Sequence, residues 1–382
     1  MKRFLAILLT LTMLFSLCAC GAKKPANTDG SFEDDYQFTF DDTETTQSTT
    51  SSDASSATET VSSAISSTTS SATSSATSST ASTPIRIELD SYSDGRTIIA
   101  CWGDSITEGM HMTDKSYPTR LQEMLGDTKY KVYNGGDGGE TTATIAARQG
   151  GLKVFTSKNI TFARNKDSQL LTTEAGNCFV TEDGTPVVLT AGLGNQLRVN
   201  DVQINGEYFS LSFEDFVWSP RSFKLYMRRY SETSSTLTIP KGSEVIFNST
   251  SVSTKGGIDI YLMGANGGYE GSASKYIEQL KAMIAHHGND KYIIVKPYWT
   301  TIGGLEDAFG DHVLDFQSLA VTEGLAYEGL TPTAADKTAL SKNSIPPSLR
   351  YQNEAGNVHL NEYGYHFLAH CIHEKGKTLG YW

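Results

Sequence analysis

The sequence predicts an α/β fold in which a largely parallel sheet is covered by helices on both faces and interrupted by a β-rich insertion. Two observations carry this. At both ends of the folding region short apolar runs alternate with helix-like stretches, the pattern of strands joined by helical crossovers. Between those ends the apolar residues alternate with period two, turn residues are frequent and helical periodicity is absent. The chain has 382 residues. About the first 84 read as an export signal and a tether, which leaves roughly 300 for one large domain or two modest ones.

The N-terminus comes first. Lys2 and Arg3 precede an apolar stretch from Phe4 to Leu17, the cationic start and short greasy centre of a secretory signal over residues 1–19. It ends in Leu17-Cys18-Ala19-Cys20-Gly21. Leu three residues before a Cys, with a small residue directly before it, resembles the bacterial lipobox. That resemblance implies cleavage before Cys20 and a diacylglyceryl group on its sulfur. Two acyl chains give lasting anchorage, so the expected location is the outer face of a bacterial membrane. Residues 20–84 are expected to be a disordered tether. Its stretch 43–83 is about seven-tenths Ser and Thr, with almost nothing to bury against the entropy of ordering. As a flexible coil it would reach on the order of 35 Å.

The net charge is −12, and both tether and body are acidic. That argues against nucleic acid as a partner, because phosphate binding needs a basic face. After the signal no apolar run approaches the roughly 18–20 residues of a membrane helix. Cys101, Cys178 and Cys371 remain once Cys18 and Cys20 are assigned. They are odd in number and widely spaced, so no disulfide framework or zinc pattern is visible.

In the body, residues 86–149 and 257–382 read as two halves of one α/β domain. Thr97 to Trp102 is a buried strand, ended by Gly103-Asp104-Ser105. Thr119 to Leu125 is helical, with Pro118 at its first turn. Lys131-Val132-Tyr133 is a strand closed by the glycine-rich stretch Gly135 to Gly139. Ile258 to Met263 is a strand, Lys275 to His286 an amphipathic helix, Tyr292 to Val295 a strand and Tyr363 to Lys375 a helix. The insertion, 150–256, shows strands at Val187–Thr190, Gln203–Tyr208, Ser222–Arg228 and Glu244–Phe247, with Asn205-Gly206 as a hairpin turn.

The residues that carry chemistry sit at the strand ends. Gly103-Asp104-Ser105-Ile106-Thr107-Glu108-Gly109 follows the first strand. Asn134-Gly135-Gly136-Asp137-Gly138-Gly139-Glu140 follows the second, Gly264-Ala265-Asn266 a later one, and Val358-His359-Leu360-Asn361 precedes the last helix. These four blocks, in this order, resemble those of the SGNH (GDSL-type) hydrolases across nearly all of 97–370 except the insertion. The stretch Ile345 to Arg350 also resembles secreted bacterial members. The resemblance implies a flavodoxin-like three-layer α/β/α sandwich and an esterase that needs no cofactor or metal. It further implies that Ser105 is the nucleophile, His359 the base, and that Ser105, Gly139 and Asn266 supply oxyanion donors.

Elementary chemistry agrees with those roles. A serine hydroxyl needs a base within hydrogen-bond reach, imidazole titrates near neutrality, and the tetrahedral oxyanion needs fixed donors. One position departs from the pattern. Where the family carries Asp, this chain has Gly356. Glu354 folding back, a backbone carbonyl near Gly356, or Asn357 are the possible substitutes, and a Ser–His dyad with carbonyl support is the expectation. Asp104, Glu108, Glu140 and Trp299 are the candidates to line the substrate site. Asp104 and Glu140 could also fix their loops by accepting backbone N–H groups.

The expected function is hydrolysis of an O-acyl, chiefly O-acetyl, ester on a carbohydrate or related extracellular substrate through an acyl-serine intermediate. Acyl transfer to a sugar hydroxyl is one alternative. A glycan-binding lipoprotein on an inert scaffold is the other. The partners expected are an acylated polysaccharide or small ester and, through Cys20, the membrane. His366, His370 and His373 share a helix face, which reads as an ordinary surface rather than a metal site. Trp218, Tyr208 and Tyr226 read as a small core for the insertion, with a glycan platform as the alternative.

Overall fold

The computed structural model describes residues 94–163, 168–171, 179–187, 201–217, 222–230, 234–247 and 257–382. The expected signal, Cys20 and tether lie outside them, as do Cys178, Trp218 and most of the expected strand Val187–Thr190. The described residues belong to one compact unit, Ala76–Trp382.

Strand β1 (Thr97–Gly103) leads into a single helical turn, α1 (Ser105–Glu108). Helix α2 (Tyr117–Leu125) starts with Pro118 in its first turn and buries Tyr117 and Leu121. Strand β2 (Tyr130–Gly136) is longer than its apolar residues suggest. It pairs with β1 through Gly135 and Gly136, so these glycines are strand, not loop. Close packing explains them: a Cβ on Gly136 would lie 2.0 Å from the Glu108 nitrogen. Helix α3 (Thr142–Gln149) follows, closed at its start by a capping box between Thr141 and Thr144.

The middle of the chain is antiparallel throughout its described pairings. It contains β3 (Val154–Thr156), β4 (Ile160–Phe162), β5 (Ser168–Leu170), β6 (Phe179–Val180), β7 (Asp201–Ile204), β8 (Glu207–Val217), β9 (Ser222–Arg229), β10 (Leu237–Ile239) and β11 (Glu244–Phe247). Seven of them form one sheet, ordered β5-β9-β8-β7-β11-β3-β6, while β10 pairs with β4. Asn205-Gly206 makes the two-residue turn between β7 and β8, with φ of 51° and 83°. Both values suit the type I′ hairpin that this dipeptide favours. Phe162, Phe179, Phe209, Leu211, Leu225, Met227 and Phe247 form the buried core of this region. Tyr208 and Tyr226 do not join it. Strand alternation turns them to the other face, where they are half-buried, which corrects their reading as core.

Strands β12 (Ile258–Leu262), β13 (Tyr292–Val295) and β14 (Val313–Leu314) return to the first sheet, with helix α4 (Ala273–His287) between β12 and β13. The sheet is wholly parallel, ordered β2-β1-β12-β13-β14. Its strands alternate their side chains between two cores. Ile99, Cys101, Ile260, Leu262, Ile293 and Val295 pack with α2 and the C-terminal helix Glu362–Thr378. Ala100, Trp102, Tyr261 and Ile294 pack with α3 and α4 on the opposite face. Helices therefore cover both faces, as the continuous apolar strands require. Cys101 and Cys371 are free and buried, and burial raises both thiols far above their ordinary range. Among the described residues no helix is long and apolar enough to cross a membrane.

Candidate active site

From β1 the chain winds one way to β2, and from β12 the other way to β13 and β14. In a doubly wound sheet the carboxyl ends of the strands at that reversal border an open crevice. Ser105, the glycine-rich loop after β2 and the Gly264-Ala265-Asn266 loop after β12 all sit there.

Asp104 holds the first of these in place. It caps α1, one carboxylate oxygen accepting the Ile106 N–H at 3.1 Å. The other accepts the Ala265 N–H at 3.1 Å, which ties the β1 loop to the β12 loop. The side chain is fully buried. Burial pushes its carboxyl up to about 6, against the pull of those N–H groups.

Ser105 Oγ lies 2.9 Å from His359 Nε2. The sequence separates the two by 254 positions, and a braced loop brings them together. The His359 N–H donates to Asn357 Oδ1 at 2.9 Å, and its carbonyl accepts from the Tyr351 N–H at 3.0 Å. Buried Arg350 donates to the carbonyls of Ile345 and Asn357. Asn361 then caps the C-terminal helix by accepting the N–H groups of Tyr363 and Gly364. The Tyr298 hydroxyl donates to the Val358 carbonyl at 2.6 Å, bringing the loop after β13 alongside.

Among the described residues no carboxylate supports the imidazole. Gly356 has φ of 89° and no side chain to offer. Asn357 spends its side-chain oxygen on the His359 backbone, and exposed Glu354 stands 3.4 Å from the Asn357 amide. Among the described residues, the hydrogen-bond partner of the His359 ring is Ser105 Oγ. The expected carbonyl support is therefore not seen. Burial, followed by the neighbouring His111, pulls the imidazole down to about 4. Nε2 must be unprotonated to accept from Ser105, which places the ring hydrogen on Nδ1.

The glycine loop is drawn in by several bonds. Asp137 donates its N–H to the Gly103 carbonyl at 3.1 Å, and Thr142 to the Gly267 carbonyl at 2.9 Å. Gly139 has φ of 84°, a left-handed conformation that costs glycine little. A Cβ on adjacent Gly138 would lie 3.6 Å from Ser105 Cβ, so this loop passes beside the serine. Asn266 donates one amide hydrogen to the Glu140 carbonyl at 3.1 Å, which fixes the amide and leaves a second N–H on the same nitrogen.

The four candidate substrate-lining residues divide. Asp104 and Glu140 do not line a surface, which corrects that part of the expectation. Asp104 is occupied as described. Glu140 is 1% exposed and paired with equally buried Arg148, Oε2 accepting from Nε at 2.9 Å and from Nη2 at 2.6 Å. Arg148 also donates to the Gly135 carbonyl, so the pair staples α3 to the end of β2. Glu108 is buried, with Oε2 packed where a Cβ on Gly138 would be. Trp299 is half-buried and meets Tyr298 edge-on at 4.9 Å between ring centres. Its indole nitrogen is buried, with no hydrogen-bond partner among the described residues.

Sequence reasoning missed Tyr351, Arg148 and the Ala265 N–H. No local pattern marks them: Tyr351 and Ala265 act through their backbone, and Arg148 gains its role only when α3 packs against the end of β2. Of the three C-terminal histidines, His366 Nδ1 lies 2.8 Å from a Glu328 oxygen, the His366 and His370 rings both meet Tyr327, and His373 stacks on Trp382. Among the described residues no cluster of His, Cys, Asp and Glu could hold a metal ion.

Comparison of the chain with protein families, with curated proteins and with solved structures found no match. The class that fold and geometry define is therefore a coarse one. It is an α/β protein with a parallel sheet, carrying a serine–histidine pair at the strand ends where the winding reverses.

Proposed function

We propose that this protein is a serine esterase of the SGNH type, acting on O-acyl esters of extracellular carbohydrate. The observation that carries the reading is the 2.9 Å contact between Ser105 Oγ and His359 Nε2. Two further observations support it. Counted within their own sheet, the five parallel strands run 2-1-3-4-5, the order of flavodoxin-like doubly wound folds. Gly139 and Asn266 lie on loops bonded to the one that presents Ser105. In this reading lipidated Cys20 holds the protein on the outer membrane face, and the tether carries the domain to its glycan.

The mechanism follows from the residues. Ser105 Oγ attacks the acyl carbon while its proton passes to His359 Nε2. The N–H groups of Ser105, Gly139 and Asn266 take the oxyanion. Collapse expels the sugar alkoxide, which receives the proton from Nε2. Water, deprotonated by the same nitrogen, then releases the acid and restores Ser105. Among the described residues no carboxylate stands beside the imidazolium, so proton transfer is harder than in a three-residue unit. A slow enzyme is the consequence.

The pH dependence has a defined sign. His359 must be neutral to accept the proton. With its imidazole held near 4 by burial and His111, kcat/KM should stay flat from pH 7 down to about 5 and fall by half near pH 4. An ordinary histidine would give that midpoint near 6.5. Acetate release measured between pH 3 and 8 distinguishes the two.

Asn266→Ala should lower kcat by about 100- to 1000-fold with little change in KM, because the amide acts on the oxyanion rather than the ground state. Steady-state kinetics on p-nitrophenyl acetate reads this. The proposal itself is tested with the full-length protein on p-nitrophenyl acetate, p-nitrophenyl butyrate and acetylated polysaccharide. Turnover of the polysaccharide supports it. Turnover of small esters alone would leave an esterase with a different substrate.

The absence of a carboxylate on His359 among the described residues favours one second reading, a glycan-binding protein on an inert scaffold. Retention on polysaccharide with no ester turnover would select it.

A further inference from the structure

We propose that His111 is a positioning residue for His359, and that with Tyr351 it takes over the orienting task that no carboxylate among the described residues performs. The inference rests on the esterase reading above.

Three observations lead to it. The His111 ring lies face to face on Tyr351, with centres 4.0 Å apart and planes 10° from parallel. The same His111 ring meets the His359 ring at right angles, with centres 5.6 Å apart and planes at 88°. Such a perpendicular contact is lost when the imidazole turns about its own bond, so it holds the ring plane. The third is backbone strain. His111 has φ of 68°, and Gln352 and Asn353, just after Tyr351, have 55° and 54°. These are three of the six non-glycine residues with positive φ among the described residues. Strain of this kind persists only where the surroundings enforce it, and it gathers at working sites.

The chain path gives the contact its purpose. His111 stands six residues after Ser105, inside a tight turn in which the Met110 N–H bonds the Ser105 carbonyl and the Met112 N–H the Gly109 carbonyl. Tyr351 belongs to the His359 loop and donates its N–H to the His359 carbonyl. The stack therefore clamps the segment bearing the serine to the segment bearing the histidine. Lys115 and Glu362 form an ion pair between the same two segments, farther along each. A carboxylate would orient the imidazole by a hydrogen bond to Nδ1. Here ring contact does it from the side, without the charge a carboxylate would bring.

The test is steady-state kinetics of the full-length protein on p-nitrophenyl acetate, with fluorophosphonate labelling of each variant. His111→Asn deletes the aromatic ring while keeping a residue that tolerates the left-handed backbone. His111→Phe keeps a ring. The expected result is a three- to tenfold fall in kcat for His111→Asn, with KM changed less than twofold. His111→Phe should regain most of the loss. Tyr351→Ala should match His111→Asn, and the double variant should be no slower than either, since both act through one unit. Tyr351→Ala also keeps the question open to test should His111→Asn fail to fold.

Unchanged kcat in both ring deletions, in a protein that labels and turns over, would overturn the positioning role and leave the esterase reading intact. Equal losses in His111→Asn and His111→Phe would overturn it too, because a ring alone would then not suffice. A wild-type protein inert to ester and probe would overturn the esterase reading, and this inference with it.

Discussion

Ser105→Ala is expected to lower kcat/KM for p-nitrophenyl acetate by about 100-fold, far less than serine removal costs a complete triad. In a full Ser-His-acid unit, losing the serine costs about a millionfold, and losing the acid alone costs on the order of ten-thousandfold. These losses do not add, because the three residues act together. A pair that already lacks the acid has roughly a hundredfold left to lose. His359→Ala should cost the same, and the double variant should be no slower than either single one. The geometry behind this is direct: the Ser105 hydroxyl has His359 Nε2 at 2.9 Å, and the described carboxylates leave the imidazole alone. A loss beyond about 100,000-fold would mean that an acid works with His359 in solution. No loss at all would remove both residues from the chemistry.

Gly136→Ala is expected to be the most damaging single substitution for folding near the site. Its Cβ would fall 2.0 Å from the Glu108 nitrogen, 2.5 Å from the Thr107 carbonyl carbon and 2.6 Å from the Glu108 Cα. All three are backbone atoms of the turn that presents Ser105, so no flexible side chain can move aside. Overpacking a well-filled site costs about 1–3 kcal/mol even where side chains can adjust. Here β1, β2 and α1 would have to separate, and the cost should reach or exceed the upper end. Urea unfolding checks this through a lower midpoint at unchanged slope. Ester turnover should fall as well, since any relief must displace the serine. A midpoint equal to wild type would show that the turn does not press on β2.

The central strands were readable because a parallel sheet buries both faces of its strands, and unbroken apolar runs such as Ile258–Leu262 and Tyr292–Val295 announce that. The Asn205-Gly206 hairpin was readable because few other dipeptides tolerate its backbone. Helix α3 was not, since its cap is a Thr–Thr pair and its small residues Ala143, Ala146 and Ala147 give a weak periodic signal. The short helices Leu305–Phe309 and Ala334–Ser341 and the two-residue strand β14 carry too few turns or residues for a period to show.

The site divides in the same way. Ser105, Asn266 and His359 belong to blocks whose spacing is local, so they stand out in the chain. The roles of Asp104 and Glu140 depend on what buries them. A carboxylate on a loop reads as solvent-facing until its partners, the Ala265 N–H and Arg148, are known. The His111–Tyr351 stack joins residues 240 positions apart and leaves no trace in either neighbourhood.

The central claim is that Ser105 is a nucleophile activated by His359. Intact-protein mass spectrometry after treatment with a fluorophosphonate tests it most directly, without knowledge of the natural substrate. One adduct per chain is expected, located on the peptide containing Ser105, absent in Ser105→Ala and strongly slowed in His359→Ala. A wild-type protein that stays unlabelled, or one whose adduct persists in Ser105→Ala, would contradict it.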